Sequence, residues 1–502
     1  MKRALGPLAD GTFDLLVLGG GITGAGVALD ASLRGFRVAL IDKADFASGT
    51  SSASSKLVHG GLRYLEHGDF RLVYEALHER RLLLHNAPHL VRPLRFVLPF
   101  YSGTRVPPWK WRAGLLLYDL LAGRGNLSRS HALPLPRLLR EFPGLHRDGL
   151  LGGADYYDAQ MDDARLCIEV LKTAAREGAY VANYVEAMAF EPGGVRALDH
   201  VGGAEFPIRA RVVLNATGPW VDQVCRLAGD NTGPHLRPTK GTHLVTPGRG
   251  LRAAFLLLHP DDGRVLFVIP WLGKTLIGTT DTDSDTPADA LVVTAAEVDY
   301  LLRAHNHYFS PALSGGDVLG SFAGLRPLLR SRPAEPSSRS REFRLFWSPS
   351  GLLTAAGGKY TTYRHMAEVI TDAVAERLGR QTRCRTANHP LDGAPSVPWG
   401  DFVESETKVL MTAHGLGEPA ARHLVNRYGR RAADVAAYLV RDPRLAEPLV
   451  RGEPDLRAEF VYQREEEMAI REEDCLLRRT RVGLYRPELW RGPEAPLAAS
   501  HV

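Results

Sequence analysis

The sequence predicts an α/β fold, a Rossmann-like nucleotide-binding domain with a parallel sheet joined to an antiparallel-sheet domain and a helical C-terminal domain. Three features carry this reading. The apolar run Phe13-Asp14-Leu15-Leu16-Val17-Leu18 leads into Gly19-Gly20-Gly21-Ile22-Thr23-Gly24, and a second apolar run, Val38-Ala39-Leu40-Ile41, closes on Asp42. Short strand-plus-glycine segments recur at 211–220 and 352–362. After about Asn388 the chain changes to helices rich in charge pairs, such as Glu459 to Arg481.

The first feature outlines a complete dinucleotide-binding βαβ unit of Rossmann type. Gly19 makes the tight turn, Gly21 lets a pyrophosphate approach the backbone at a helix N-terminus, and Gly24 lets that helix lie close on the sheet. Asp42 is placed to hold a ribose hydroxyl, and an acid there disfavours a 2′-phosphate, so the ligand is FAD or NAD. The segment Asp45 to Leu65 points to the flavin. Thr50, Ser51 and Ser52 offer donors to a second face of a pyrophosphate, while Gly60-Gly61 lets the chain pass close to a flat ring. A flexible Ser/Gly linker would not be broken by Leu57, Val58, Leu62, Tyr64 and Leu65.

Next come a helix over Asp162 to Glu177, with two acids favouring its N-terminus, and a strand from Tyr180 to Val185. Arg211 to Trp220 is a short strand ending in Ala216-Thr217-Gly218, where parallel sheets present backbone to ligands; a helical segment, Val221 to Leu227, follows. Leu236 to Val245, Val265 to Pro270, Thr275 to Thr279 and Phe343 to Trp347 alternate between turn residues and read as an antiparallel sheet. Leu352 to Thr362 gives a last strand and glycine turn, with Gly358 and Thr361 opening a helix. Met366, Val369, Ile370, Ala373, Val374 and Leu378 form that helix's core face. The expected partition is a discontinuous nucleotide domain (1–85, 150–235 and 348–385), a substrate domain (86–149 and 236–347) and a helical domain (386–502).

A chain of 502 residues calls for two or three domains. No apolar run approaches the roughly 20 residues of a membrane span, and the N-terminal apolar run lacks a cleavage site, so export is not expected. Cys167, Cys225, Cys384 and Cys475 show no CxxC or metal-ligand spacing, which fits a reducing compartment and no metal. The net charge of +5 is uneven: from Val91 to Arg147 there are ten Lys or Arg against two acids, Asp119 and Glu141. Such a segment attracts an acidic partner. It contains the apolar helix Trp109 to Leu121, with aromatic and basic residues at one end, a pattern shared by interfacial membrane helices and buried ones. Nothing in the chain carries a nucleic-acid-binding signature, so no nucleic-acid partner is expected. With 53 Arg and 9 Lys, an arginine is weak evidence for a site, whereas Lys56, Lys240 and Lys359, all in glycine-rich loops or turns, are more informative.

Five segments resemble one family over nearly the whole chain. They are Gly19-x-Gly21-x-x-Gly24, Thr50 to Leu65, Asn215 to Trp220, Gly324-Leu325-Arg326-Pro327-Leu328 and Gly357 to Arg364. Together they look like FAD-dependent glycerol-3-phosphate dehydrogenase, and the Ser-rich loop running into His59-Gly60-Gly61-Leu62-Arg63-Tyr64 is the most specific. Arg464 to Ala469 and Leu477 to Thr480 are similar to the family's C-terminal cap domain. Tyr360 departs from the family, where Leu is more usual beside the flavin.

The resemblance implies an FAD-binding domain of the glutathione-reductase and D-amino-acid-oxidase type. It also implies oxidation of sn-glycerol 3-phosphate to dihydroxyacetone phosphate, with electrons passing to a membrane quinone. Gly19, Gly21, Gly24, Asp42, Thr50, Ser51, Ser52, Lys56, Leu57, Val185, Ala216, Gly218, Gly358 and Thr361 are the expected cofactor contacts. A base must remove the hydroxyl proton while cations hold the phosphate. His243 is the first choice of base and His59 the second. Arg326 and Lys359 are the leading phosphate or alkoxide partners, with Tyr64, Arg63 and Arg341 beside them. The location implied is the cytoplasm, peripheral to an anionic inner membrane face, with a homodimer left open. The alternatives are an oxygen-using glycerol-3-phosphate oxidase, a flavin amine or amino-acid oxidase and, from another class, a flavin-bearing RNA-modifying or nucleic-acid-binding protein.

Overall fold

The computed structural model describes residues 1–330 and 343–491. Four strands, Leu353–Gly357, Glu205–Asn215, Thr12–Leu18 and Val38–Ile41, run parallel in that spatial order, and Tyr180–Ala182 adds a fifth. Thr12–Leu18, Val38–Ile41 and Leu353–Gly357 are almost wholly buried, as parallel strands covered on both faces are, whereas the first half of Glu205–Asn215 alternates between exposed and buried residues. The helices Ile22–Leu33, Asp163–Arg176 and Tyr363–Arg377 pack together on one face, with Ala25, Ala28, Val170, Ile370 and Val374 in a single core. Asp162 caps the second of these through the Arg165 amide.

The second sheet has ten strands and centres on two long ones, Val91–Tyr101 and Leu150–Met161, paired antiparallel along nearly their whole length. Thr239–Pro247, Lys274–Gly278, Val265–Trp271 and Ala254–Leu258 continue it, and Gly320–Arg326 pairs with Thr239–Pro247. It is a mixed sheet, since Ala254–Leu258 lies parallel to Val91–Tyr101.

Three sequence expectations need correction. Leu150–Met161 was placed with the nucleotide domain but belongs to the second sheet. Its Gly152-Gly153 pair breaks the apolar pattern, and the glycines are needed because a Cβ at Gly153 would lie 2.7 Å from the Leu98 carbonyl oxygen. Phe343–Trp347, expected in the antiparallel sheet, is the edge strand of the first sheet and forms a hairpin with Leu353–Gly357. Alternation alone does not say which sheet edge a strand joins. Glu459 to Arg481 is not one continuous helix: Arg457–Glu466 ends before Met468, whose φ is +52°, and a π-helical turn, Asp474–Arg479, follows.

That turn fastens the helical domain behind the nucleotide fold. Arg478 and Arg479 both bind the buried Asp45, and Arg481 binds Asp163. Glu467 binds Arg165 and, at 3.1 Å, Lys172. Burial opposes ionisation of Glu467, but Arg165 and Lys172 overcome it and hold its carboxyl down to about 2.

Candidate active site

A cavity opens at the carboxyl ends of the parallel strands. Gly19 turns there at φ +107°, and a Cβ on it would sit 2.7 Å from the Ala216 carbonyl oxygen. A Cβ on Gly24 would sit 2.0 Å from the Gly19 oxygen, so the first helix reaches its packing distance only with glycine. Gly21 is that helix's N-cap, and the next amide, of Ile22, donates to Ser51 Oγ at 2.9 Å. The Ser-rich loop is thereby tied to a helix N-terminus, whose partial positive charge suits a pyrophosphate.

Asp42 holds the same turn from the other side. Its two oxygens accept from the Gly20 and Ala44 amides at 2.6 and 2.9 Å. Burial nevertheless pushes its carboxyl up to about 6. A carboxylate has about four lone-pair sites, so Asp42 fixes the turn and keeps capacity for a ribose hydroxyl. Farther out, Asp289 accepts from Lys43 and from Trp220 Nε1 at 3.0 and 2.9 Å, while Lys43 lies 4.4 Å from the Trp220 ring centre. This clamp is absent from the sequence reading because 69 residues separate Trp220 from Asp289.

Of the expected cofactor residues, Gly19, Gly21, Asp42, Thr50, Ser51, Val185, Ala216, Gly218 and Gly358 line the cavity, as do Lys359 and Tyr360. Gly24, Ser52, Lys56, Leu57 and Thr361 do not reach its wall. Lys56 is fully buried, with Nζ held by Asp163 at 2.7 and 2.9 Å and by the Ser52 carbonyl. Burial, helped by Arg481, lowers its amine to about 8 despite Asp163. Its head anchors the loop from behind. Lys240, similarly, binds Glu297 at 2.7 Å.

The loop's other side packs on the second sheet. Thr50 Oγ1 donates to the Leu325 carbonyl at 2.6 Å, and Gly324 leaves the room that Ala53 needs, since a Cβ there would come within 2.6 Å of the Ala53 methyl. His243 lies on the neighbouring strand, stacked on Phe322 with ring centres 4.9 Å apart. Its Nε2 is 2.8 Å from Ser55 Oγ, and its buried Nδ1 makes no hydrogen bond among the described residues. Burial, then the nearby Lys56 and Arg326, keep the imidazole neutral well below its ordinary range.

Arg326 pairs with Asp281 at 3.0 Å and donates to Thr279 Oγ1 and the Thr280 carbonyl at 3.1 and 3.2 Å. Gly241 makes room for it: a Cβ would lie 2.6 Å from its guanidinium. Lys359 extends from the last glycine turn to the His59 carbonyl, 2.7 Å away, and lies 5.1 Å from the Tyr64 ring centre. His59 meets Phe267 edge-on. Arg63 shares the turn Leu62–His67 with Tyr64, and Arg341 lies outside the described residues. Lys359, His59 and Tyr64 thus converge, while His243 sits behind Ser55. Sequence reasoning missed Ser55, Thr279 and Asp281; Ser55 alone carried a local signal, its place in the Ser-rich run.

The glycine cradle, the buried acid and the helix N-terminus fit the adenine and pyrophosphate parts of FAD, and together with the loop define a flavin-dependent oxidoreductase. The family model for FAD dependent oxidoreductases matches residues 14–364, and that for the C-terminal domain of alpha-glycerophosphate oxidase matches 384–491. The chain is 40% identical over 497 residues to the aerobic glycerol-3-phosphate dehydrogenase of Bacillus subtilis, covering 95% of this chain and 88% of the relative. It is 39% identical to a glycerol-3-phosphate dehydrogenase of Synechocystis, over 94% and 89% of the two chains. Among solved structures, the glycerol-3-phosphate dehydrogenase of Bacillus halodurans complexed with FAD superposes with a TM-score of 0.80 at 33% identity, over 97% and 89%. The L-alpha-glycerophosphate oxidase of Mycoplasma pneumoniae shares the fold at TM-score 0.58 and 18% identity, over 77% of this chain and 100% of that one. The chain belongs to the family of FAD-dependent glycerol-3-phosphate dehydrogenases.

Proposed function

We propose that this protein oxidises sn-glycerol 3-phosphate to dihydroxyacetone phosphate and passes the electrons to a membrane quinone. The observation that carries the reading is the convergence of Lys359, His59 and Tyr64 on the Ser-rich loop, with the pinned Arg326 near His243, in a chain alike over its length to enzymes named for that activity. FAD, when bound, supplies the acceptor for the hydride that leaves C2.

The chain supplies the rest. Arg326 is held rigidly by Asp281 and Thr279, so its positive charge is set in place before a phosphate arrives. Lys359 offers a second cation at the end of the nucleotide cavity. His243 is buried and neutral, the protonation state a base requires, and Ser55 lies on its Nε2. His59, half-buried beside Lys359, is the second candidate.

Contact with an anionic membrane is assigned to the helix Pro108–Ala122. Leu115 and Tyr118 face inward, whereas Trp109, Leu116 and Leu120 are 70%, 67% and 77% exposed, with Lys110 and Arg112 exposed beside them. Large apolar side chains so exposed along one face, flanked by cations, suit a headgroup layer. Among the described residues no helix is long and apolar enough to cross a membrane.

The test is anaerobic mixing of the flavin-loaded protein with glycerol 3-phosphate, glycerol and sarcosine. Bleaching of the flavin by the first alone is expected; comparable bleaching by glycerol overturns the phosphate site, and bleaching by sarcosine favours an amine oxidase.

A further inference from the structure

Behind the nucleotide cavity, three donors of different chemistry meet. Cys225 lies on the helix Val221–Leu227, Asp230 follows that helix, and His235 precedes the bridge between Leu236 and Leu329. One ligand atom from each falls within 4.8 Å of the others. Cys225 and Asp230 are buried, and the His235 side chain is 11% exposed. The spacing of four residues between successive donors matches no metal-binding sequence pattern, so the set is visible only in the fold.

Two features distinguish this cluster from a network already satisfied. His235 Nε2 is buried and makes no hydrogen bond among the described residues, and it lies 3.9 Å from Asp230 Oδ2. A direct hydrogen bond would bring those atoms to about 3 Å. Among the described residues, moreover, no Lys or Arg forms an ion pair with Asp230. The other such group, His423, Asp455 and Glu459, differs on this point, because Arg427 already binds both of its carboxylates. A buried carboxylate, one of whose oxygens accepts from the Thr232 amide at 3.0 Å, a thiol and an imidazole with an unsatisfied Nε2 therefore face one another without a Lys or Arg between them.

We propose that Cys225, Asp230 and His235 form a binding site for a divalent cation of zinc type. Sulfur, nitrogen and oxygen donors together suit such a borderline ion. Bonds of about 2.0 Å in a tetrahedral arrangement place N and O roughly 3.3 Å apart, so the 3.9 Å gap closes by a small side-chain rotation. Burial raises the Cys225 thiol above its ordinary range; on binding, the thiol proton leaves to solvent, His235 binds as neutral imidazole, and affinity rises with pH. Asn215 and Thr354, each 3.6 Å from the sulfur, stand around it as outer partners. The helix carrying Cys225 also supplies Gln223, Val224 and Leu227 to the cavity wall, so the ion would pin that wall to the chain entering the second sheet.

The experiment is equilibrium dialysis of the chelator-treated, flavin-loaded protein against zinc at micromolar concentration, with bound metal measured by plasma emission and its shell by X-ray absorption. One equivalent per chain is expected, with a single sulfur at about 2.3 Å and N/O ligands at about 2.0 Å. Cys225→Ser and His235→Asn should each weaken binding by more than the roughly 10–100-fold that loss of an outer partner costs. His423→Asn should leave it unchanged. No retained zinc in the wild-type protein, a shell without sulfur, or loss of zinc on His423→Asn overturns the proposal; the absorption spectrum decides the matter on the wild-type protein even where a variant does not fold.

Discussion

The nucleotide crevice and the second-sheet wall meet at the Ser-rich loop, yet they draw on the chain over very different ranges. Asp42 reaches the Gly20 amide across 22 residues, and the crevice is bounded largely by backbone groups. On the other side the His243 ring meets the Ser55 hydroxyl across 188 residues, and the Lys359 side chain reaches the His59 carbonyl across 300. A wall made of backbone tolerates almost no added atom, whereas a wall made of charged and titratable side chains fails by degrees and with pH. Substitutions on the two walls should separate accordingly.

The largest effect belongs to the glycine turn. Gly24→Val should prevent stable folding, because even a Cβ would meet the Gly19 oxygen at 2.0 Å. Gly21→Val should fold and lose FAD, since its nearest protein neighbour is the Ser51 hydroxyl at 3.1 Å and its side chain enters the space of the pyrophosphate. Circular dichroism with flavin absorbance distinguishes the two outcomes; a yellow, folded Gly21→Val protein would show that the pyrophosphate lies elsewhere.

On the opposite wall, His243→Ala should retain FAD and bind substrate while slowing flavin reduction by about 10²–10⁴, the usual worth of a positioned base. The deficit should narrow as pH rises. Stopped-flow reduction of His243→Ala beside His59→Ala assigns the role: if only the second is slow, His59 is the base and His243 merely supports Ser55.

The clamp behind both walls gives a third effect, expressed in stability. Glu467→Gln breaks a buried pair with Arg165 and Lys172 and should cost about 3–5 kcal/mol. Glu467 titrates near 2 in the fold against an ordinary 4.5, so its contribution is complete above 4.5 and is lost as pH falls toward 2. Denaturant melts across that window should steepen for the parent and stay flatter for the variant. Arg326→Ala should be smaller, weakening glycerol 3-phosphate by about 1.5–3 kcal/mol at every pH, as removal of a charged hydrogen bond does. Titration of the flavin change checks it, and rescue by high pH would contradict its role as a fixed charge.

How much could be read from the sequence follows the same division. The turn at Gly19, the acid at Asp42 and the helix over Asp162 to Glu177 were legible because each depends on neighbours in the chain. The pairing of Leu150–Met161 with Val91–Tyr101 was not, since glycines at 152 and 153 erase the alternation, and at 153 the Leu98 carbonyl leaves no room for a side chain. Lys56 shows the limit for single residues. Its place in a Ser-rich loop suggested a cofactor contact, and only the fold reveals Asp163 on its amine, 107 residues away. Arg326 was singled out through its motif, but its geometry depends on Asp281, which no local pattern marks.

Asp42 provides the finest test, because its carboxylate is bonded directly to the backbone amides of the glycine turn. With its carboxyl lifted by burial to about 6, a ribose hydroxyl donating to the ionised form should pull that value down on binding. Linkage then requires FAD affinity to be greatest above pH 6 and to weaken as pH falls through it, where binding must also expel a proton. Asp42→Asn keeps the shape but removes the charge and turns one of the two acceptor oxygens into a donor facing a backbone amide, so it should cost at least about 1 kcal/mol, roughly a fivefold loss or more, at neutral pH and flatten the acid limb. Flavin fluorescence measured over pH 5–8 reads both quantities. A parental affinity independent of pH would mean that Gly20 and Ala44 consume the carboxylate entirely and that Asp42 only shapes the turn.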